Sequence, residues 1–147
     1  RHALDYYEKI YKKKADYIVL LPPTTPFRTS KDIDDSIKKL IKNKNFDSLV
    51  AVTNVNYPPF WMLKKKKNQK IEWLFKNIKK YNTRQEFPKV FQPNGMIYII
   101  KRSKLMTMKG ILPQNKTMGF FIDEEKSINI DNFEQYKFAK IKKELKI

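Results

Sequence analysis

The sequence predicts an α/β domain built around a mostly parallel β-sheet. Short aliphatic runs, typical of buried strands, alternate along the chain with segments whose apolar residues recur every three or four positions, as in amphipathic helices. This alternation is typical of right-handed crossovers between parallel strands. The length of 147 residues is enough for one domain with its own hydrophobic core, so we predict a single domain over residues 1–147.

The first third of the chain provides two predicted helices and two predicted strands. In order these are a helix from Arg1 to Lys14, a strand from Tyr17 to Leu21, a helix capped by Ser30, and a strand from Ser48 to Thr53. We expect the first strand to be buried on both faces, because it is apolar throughout. The apolar faces that we expect the two helices to bury consist of Ala3, Leu4, Tyr7, Ile10 and Tyr11, and of Ile33, Ile37, Leu40 and Ile41.

Residues 57–80 interrupt the alternation and are predicted to form a protruding arm. A lysine-rich segment from Lys64 to Lys70 separates two short apolar stretches, Trp61 to Leu63 and Ile71 to Trp73. Short apolar stretches on either side of a polar segment indicate a hairpin with a solvated tip.

The rest of the chain returns to the alternation of helices and strands. The predicted elements are a loop from Lys89 to Asn94, a strand from Gly95 to Ile100, a short helix from Lys101 to Met108, a strand from Thr117 to Ile122, and a helix from Asn132 to Ile147. We expect Phe138, Ile141 and Leu145 to form the inward face of the last helix.

The composition excludes several kinds of site. There is no cysteine, hence no disulfide framework, no thiolate nucleophile and no zinc site of the usual sulfur type. The one histidine, His2, cannot build a catalytic triad, and three scattered glycines form no phosphate-binding loop. The longest apolar runs fall far short of the roughly 20 residues that a membrane-spanning helix needs, so we expect a soluble, cytoplasmic protein.

The charge balance is strongly basic. Lysine and arginine number 32 against 15 acidic residues, for a net charge of +17, which would suit a nucleic acid partner. Yet only four of these residues are arginine, the side chain best suited to base and phosphate recognition. Aromatic residues interleaved with lysines could stack on single strands, but core packing is the simpler interpretation for Tyr6, Tyr7, Tyr11, Trp61, Trp73 and Phe75. We therefore interpret the surplus of lysine as compositional and do not expect a nucleic acid partner.

Polar residues cluster at the ends of predicted strands, where open α/β sheets bind their ligands. The first cluster follows the first strand, where Thr24, Thr25 and Arg28 provide hydroxyls and a guanidinium on a proline-stiffened loop. The alternative interpretation is a capped turn, since proline and threonine are common in turns.

A second cluster, residues 84–95, leads into the strand that begins at Gly95. Asn94 and Gly95 permit a positive φ and exposed backbone N–H groups, and Arg84 could bind a carboxylate or phosphate with two hydrogen bonds. A hairpin-type turn with a chance arginine explains the same residues.

The third cluster is the segment from Ser127 to Asp131. In an extended chain, alternation places Asn129 and Asp131 on one side, where their oxygens could hold Mg²⁺ together with water and substrate phosphates. The alternative is that Asp131 caps the last helix.

The three clusters, in this order, resemble motifs of the acylneuraminate cytidylyltransferases, the CMP-sialic acid synthetase family. The similarity extends over nearly the whole chain, and four collinear matches are far more specific than any one of them. The matching stretches are Leu20 to Thr29 (LLPPTTPFRT), Val50 to Thr53 (VAVT), Arg84 to Ile99 (RQEFPKVFQPNGMIYI) and Ser127 to Asp131 (SINID).

The resemblance implies a Rossmann-like nucleotidyltransferase, a three-layer α/β sandwich whose extended arm crosses between the subunits of a homodimer. It implies that the anomeric hydroxyl of a nine-carbon α-keto acid sugar attacks the α-phosphate of CTP, releasing pyrophosphate with Mg²⁺ or Mn²⁺ as cofactor.

Site residues follow from the same resemblance. Asp131 matches a catalytic, metal-binding aspartate, with Asn129 beside it as the second metal position. The substrate-binding positions are Thr24, Thr25, Arg28, Arg84, Gln92, Asn94 and Gly95. Among them, Arg84 is expected to reach the sugar acid across the dimer.

Three positions depart from the family pattern. Pro22 replaces a usual glutamine, Gln92 a usual arginine and Asn129 the first aspartate, and each change removes a hydrogen-bonding or charged group. The N-terminal quarter to third of the family, with its nucleotide-gripping loop, has no counterpart here, so we expect this chain alone to be inactive or nearly so. The departures are compatible with another nonulosonic acid, another nucleotide, or a noncatalytic member of the family.

Overall fold

The computed structural model describes residues 1–75, 83–108, 110, 112–113 and 115–145, apart from the side chain of Arg84. Its helices are α1 (His2–Tyr11), α2 (Ser30–Lys42), α3 (Arg102–Thr107) and α4 (Phe133–Leu145). Its strands are β1 (Tyr17–Leu20), β2 (Ser48–Asn54), β3 (Leu63–Lys65), β4 (Ile71–Trp73), β5 (Phe91–Lys101) and β6 (Thr117–Phe121). The predicted elements are thus confirmed in kind and order, with β5 beginning four residues before the predicted strand.

The main sheet has four strands in the order β1-β5-β2-β6. β2 and β6 are parallel, whereas β1 and β5 are antiparallel, with Tyr17 opposite Lys101. The N–H of Lys101 donates to the carbonyl of Asp47 at 2.9 Å, which puts the end of β5 beside the start of β2. Three strands therefore run in one direction, as predicted, and β5 runs against them.

The chain divides into two compact units. The first unit consists of residues 1–53 and 93–147, and the second unit consists of residues 54–92. The described residues of the predicted arm, 57–75, all fall in the second unit, and residues 76–82 lie outside the described part of the chain. Among the described residues, no helix is both long enough and apolar enough to cross a bilayer.

The core of the first unit lies along the middle strands of its sheet. It consists of Leu40, Leu49, Ala51, Met96, Ile97, Ile99, Met118 and Ile122. β2 is buried from Ser48 to Thr53, as expected for a strand covered on both faces. β1 was predicted to be buried in the same way, but its residues are half-buried and Leu20 is 44% exposed. The reason is its place at the end of the strand order, where it pairs with β5 along one side.

The N-cap of α2 is one residue earlier than predicted. It is Thr29, so the prediction that Ser30 caps this helix is wrong. The N–H of Asp32 donates to the Thr29 hydroxyl oxygen at 3.2 Å, and the Thr29 N–H donates to the Asp32 carboxylate at 2.9 Å. Burial works to raise the pKa of Asp32, but the hydrogen bonds from Thr29 outweigh it and hold that pKa below its ordinary value. Along the helix Leu40 is buried as predicted, whereas Ile41 is exposed.

Two predicted inward faces are wrong. No residue of α1 is buried, and Tyr7, Ile10 and Tyr11 are all exposed. In α4, the predicted stripe of Phe138, Ile141 and Leu145 is exposed, and Ala139 is the residue that is buried. The helical step of about 100° separates Ala139 from that stripe, so burying one turns the other outward. A small side chain, rather than the largest apolar ones, faces inward from α4.

The second unit contains the predicted hairpin. β3 and β4 are antiparallel, with Leu63 opposite Trp73, and Lys64 and Lys66 both form ion pairs with Glu72. Hydrogen bonds from these two lysines lower the pKa of Glu72. The strand β3 includes two lysines that were predicted to lie in the tip.

Aromatic rings form a cluster within the second unit. Phe87 is buried and contacts Phe60 and Trp61, each with a centroid distance of 5.2 Å. The prediction that these aromatic side chains belong to the core is wrong, because all of them are exposed to solvent. They are Tyr6, Tyr7, Tyr11, Trp61, Trp73 and Phe75. Trp61 and Phe75 nevertheless make ring contacts while their outer faces remain accessible.

Candidate functional site

The antiparallel direction of β5 brings two predicted clusters together. The first residues of β5 lie at the edge of the sheet where β1 ends, because the two strands run in opposite directions. Gly95 packs directly on the other clusters: a methyl group on its Cα would lie 3.6 Å from Cγ2 of Thr25 and 3.8 Å from Cγ of Asn129. One residue from each predicted cluster therefore meets at this edge, which we call the strand-end site.

The loop after β1 is held in place by Arg28. Its Nη1 donates to the Met96 carbonyl at 2.7 Å, to the Thr25 hydroxyl at 2.9 Å and to the Pro22 carbonyl at 3.2 Å. Thr25 is buried, and its hydroxyl donates to the Pro22 carbonyl at 3.1 Å. These bonds fix the loop on itself and on β5. The predicted binding of substrate by Thr25 and Arg28 stays a prediction.

Thr24 joins the first and third clusters through its backbone. Its carbonyl accepts a hydrogen bond from the N–H of Ile130 at 2.8 Å. The Thr24 side chain is exposed, so its hydroxyl is accessible for the substrate contact that the resemblance implies.

Asn94 anchors the start of β5. The side chain is buried, its Oδ1 accepts from the Met96 N–H at 3.1 Å, and its Nδ2 donates to the Ser127 hydroxyl at 2.9 Å. Gly95 follows with a φ of 76°, the left-handed region in which glycine is favoured. The positive φ expected at this pair is thus present at Gly95, within β5.

The third cluster places its two polar side chains on one side, as predicted. Nδ2 of Asn129 donates to Oδ2 of Asp131 at 2.7 Å. The alternative that Asp131 caps α4 is wrong, because the cap is Asn132: its Oδ1 accepts from the Gln135 N–H at 2.9 Å, and Oε1 of Gln135 accepts from its N–H at 3.2 Å. Asp131 is exposed and available for other contacts.

The residues around Asp131 are compatible with a magnesium ion that keeps several water ligands. Oδ1 of Asn129 is buried and has no hydrogen-bond partner among the described residues, so it is an oxygen acceptor without a use inside the fold. Within the described ranges, no group of three or more His, Cys, Asp or Glu side chains could hold a metal. In proteins Mg²⁺ is commonly bound by one or two carboxylates and takes its remaining ligands from water and phosphates, so the single carboxylate of Asp131 is enough for such a site.

Two predicted substrate-binding residues belong to the second unit. Gln92 is exposed near the start of β5. Arg84 begins a short 3-10 helix, Arg84–Glu86, and its side chain lies outside the described part of the chain. The predicted roles of both residues stay predictions.

Ser127 lies at the centre of the site, although its residue type and position in the sequence indicated no role for its side chain. Its hydroxyl accepts from Asn94 and lies 2.9 Å from the Asp123 carbonyl, to which it donates. Ser127 thereby ties the turn before α4 to β5. The signal that could have found it is its position two residues before Asn129, on the same side of an extended segment.

Comparisons with known proteins bear on the fold and on the family resemblance. No protein-family model matches the chain. The chain is 27% identical over 139 residues to a post-translational flagellin modification protein B of Campylobacter coli, covering 95% of this chain and 57% of that protein. It is 26% identical over 141 residues to an N-acylneuraminate cytidylyltransferase of Escherichia coli, covering 95% of this chain and 31% of that one. The chain thus spans only about a third to just over half of the length of these relatives.

Solved structures show which fold this is. A CMP:2-keto-3-deoxy-manno-octonic acid synthetase complexed with CTP superposes with a TM-score of 0.60 at 12% identity, covering 97% of this chain and 67% of that one. A 4-diphosphocytidyl-2C-methyl-D-erythritol synthase from Anaerococcus prevotii gives 0.52 at 9% identity, covering 96% and 65%. At such identities the likeness shows the fold alone, which is the predicted nucleotidyltransferase fold. Together with the named relatives, it confirms the resemblance of this chain to the acylneuraminate cytidylyltransferase family.

Proposed function

We propose that this chain is part of a cytidylyltransferase that activates an acidic sugar with CTP and releases pyrophosphate. The observation that carries the proposal is the strand-end site, where Thr25, Gly95 and Asn129 meet beside Asp131 in a chain similar to a named N-acylneuraminate cytidylyltransferase. The sugar we propose is a nine-carbon α-keto acid of the sialic type, and its anomeric hydroxyl attacks the α-phosphate of CTP.

The residues of the site suit this chemistry. Asp131 would hold Mg²⁺ or Mn²⁺ with Asn129 beside it, and the ion would supply Lewis-acid stabilisation of the negative charge on the phosphates when bound. The loop with Thr24 and Thr25 is fixed before substrate arrives, because Arg28 and β5 hold it. A preformed loop of this kind orients a substrate without an entropic penalty during the reaction.

The wider assignments belong to the same proposal. Arg84 and Gln92 of the second unit would bind the sugar acid, with Asn94 and Gly95 lining the pocket. We propose a homodimer in which the arm reaches the partner subunit, and a cytoplasmic location, since CTP is a cytoplasmic metabolite. We expect removal of the Asp131 carboxylate to lower the rate strongly, because losing a group that stabilises transition-state charge typically costs ~10²–10³-fold in rate.

Pyrophosphate release tests this proposal directly. The protein is incubated with Mg²⁺, CTP and a panel of nonulosonic acids, and release is measured against a control without sugar. We expect the full-length cytidylyltransferase that contains this chain to release pyrophosphate with at least one acid, and residues 1–147 alone to release little or none. We also expect loss of release in EDTA and a fall of roughly 100-fold in Asp131→Asn. Asp34→Asn, the same change at an exposed aspartate of α2, is expected to retain the rate. No release by the full-length protein with any CTP and sugar-acid pair would overturn the proposal.

A noncatalytic role is the second candidate, and Asn129 is the observation that favours it. An amide replaces the first aspartate and donates a hydrogen bond to the second, so the pair carries one negative charge instead of two. A chain that kept the fold without the reaction would bind neither Mg²⁺ nor CTP. Isothermal titration separates the two candidates, because coupled binding of Mg²⁺ and CTP contradicts the noncatalytic one.

The exposed aromatic residues keep a nucleic acid partner as a further alternative. Tyr6, Tyr7 and Tyr11 of α1 lie on the surface of a chain with a net charge of +17. Binding to single strands would depend steeply on salt, with a slope set by the number of phosphates neutralised. We expect no oligonucleotide binding with this steep dependence on salt.

A further inference from the structure

The carboxylate of Asp131 is partnered by a protein N–H group. Asn129 donates to its Oδ2 from Nδ2 at 2.7 Å, a charge-assisted hydrogen bond of good length. An amide nitrogen that donates its protons cannot serve as a ligand to a cation. A cation that approaches Oδ2 on the side of this hydrogen bond must therefore displace the Asn129 amide.

The oxygen of the same amide is buried. Oδ1 of Asn129 lies 3.9 Å from the position that a Cβ on Gly95 would occupy, and it has no hydrogen-bond partner among the described residues. Rotating the amide by half a turn would aim Oδ1 at the Asp131 carboxylate. Two oxygens that face each other repel unless a cation lies between them, so the amide adopts the orientation that suits Asp131 without a cation.

We propose that Asn129 is a hydrogen-bonded substitute for a cation at Asp131 and is the residue that keeps the affinity of this site for divalent cations low. The inference rests on the proposed function for the location of the cation site. Asp131 is thereby held in one orientation by the protein itself, and a divalent cation binds well only when the phosphates of a bound nucleotide supply the additional oxygen ligands. Cation and nucleotide then bind as a coupled pair instead of one after the other.

The charge of the chain acts in the same direction. With a net charge of +17, the protein repels cations over distances of about a Debye length, roughly 10 Å at 0.1 M salt. A single carboxylate with an amide donor on it has little to offset that repulsion. A second carboxylate in place of the amide would remove the competing donor and add a ligand.

Binding of Mn²⁺ to the chain without nucleotide tests the inference, with the electron paramagnetic resonance signal of free Mn²⁺ as the readout. We expect Asn129→Asp to lower the dissociation constant of Mn²⁺ at least tenfold relative to the unaltered chain. The matched control is Asn132→Asp, which adds the same charge three residues away at the α4 cap, where aspartate is an equally good cap. Its affinity is expected to stay within twofold of that of the unaltered chain.

A double variant locates the gain. In Asn129→Asp combined with Asp131→Asn, the improved affinity should be lost, because the gain requires both carboxylates. An Asn129→Asp chain that binds Mn²⁺ no more tightly than the unaltered chain overturns the inference, and so does an equal gain in Asn132→Asp.

Removal of the amide is a second test that does not depend on a new carboxylate. If the amide competes with the cation, Asn129→Ala binds Mn²⁺ at least as tightly as the unaltered chain. A fall of several-fold would mean that Asn129 already ligates the cation through Oδ1, which contradicts the inference. Thermal unfolding in EDTA and in Mn²⁺ checks the fold of each variant. Since no sugar or CTP is present, a failure of pyrophosphate release would count against the proposed function and leave this result standing.

Discussion

Arg28 donates a hydrogen bond of 2.7 Å from Nη1 to the main-chain carbonyl of Met96, across 68 positions of sequence. The same nitrogen also holds Thr25 and the carbonyl of Pro22. One side chain thus ties the loop after β1 to β5, and the strand-end site depends on this tie for its geometry. Without the Arg28 side chain, the carbonyls of Met96 and Pro22 would lose hydrogen bonds that water does not fully replace.

Arg28→Ala is therefore expected to lower the free energy of unfolding by about 1.5–3 kcal/mol, the range for hydrogen bonds that involve a charged group. Arg28→Lys should recover part of this loss, because the ammonium keeps the charge without the planar fork of donors. Urea denaturation measures both. Lys31→Ala is the control: its ion pair with Asp35 is exposed to solvent, so we expect a far smaller loss of stability. Equal losses in Arg28→Ala and Lys31→Ala would contradict the tie.

Asn94 and Ser127 form the second tie of the site, and a double-mutant cycle measures it. Asn94→Ala leaves the Met96 N–H without its acceptor, so we expect a loss of about 2–3 kcal/mol. Ser127→Ala should cost about 1 kcal/mol, and the double variant less than the sum of the two by about 1 kcal/mol, because the bond between them is removed only once. Additive losses would show that the 2.9 Å contact contributes nothing.

The convergence of the polar clusters could be predicted in part from the sequence. Thr25 follows a strand, and Asn129 precedes a helix in an extended segment, so a shared sheet edge was a sound expectation. The direction of β5 could not be predicted, because the pairing of Tyr17 with Lys101 joins residues far apart in the chain. Only that antiparallel direction brings Gly95 beside Thr25.

Local sequence patterns gave the wrong residue where two neighbouring residues could each fill the same position. Thr29 and Ser30 both carry a hydroxyl that can cap α2, yet only Thr29 stands three residues before Asp32, as the reciprocal capping box requires. In α4, apolar periodicity selected Phe138, whereas the buried residue is Ala139. Which face a helix buries is decided by what it packs against, and that information is not local to the helix.

Asp47 makes stability depend on pH in the acidic range. The hydrogen bond from Lys101 holds the pKa of Asp47 below its ordinary value, with the charges of Lys101 and Lys104 acting in the same direction and burial opposing them. Since that pKa is lower in the folded state, the stabilisation is present above the unfolded pKa of about 4 and is lost as the pH falls through the folded value. The salt bridge of 3.0 Å to Lys101 should therefore weaken only below that range.

Asp47→Asn is expected to lower the free energy of unfolding by ~2 kcal/mol at pH 7 and to make it less dependent on pH below about 4. Urea denaturation at pH 7, 5 and 3 measures both effects. The same substitution at Asp34, which is exposed, should change stability far less at pH 7. A pH profile for Asp47→Asn as steep as that of the unaltered chain would rule out Asp47 as its source.

Gly95 tests whether backbone conformation or space is what the strand-end site requires. A Cβ at this position would lie 3.6 Å from Thr25 and 3.8 Å from Asn129, which are ordinary contact distances, so alanine fits in volume. The φ of 76° is the obstacle, because a residue with a Cβ in the left-handed region costs about 1–2 kcal/mol. Gly95→Ala should therefore lower stability by that amount. Gly119→Ala is the matched control: its Cβ would also meet neighbours at ordinary distances, 3.5 Å from Val52, but its φ is not positive, so we expect little change or a slight gain. Similar losses at both glycines would mean that crowding, and not the backbone angle, explains the need for glycine at position 95.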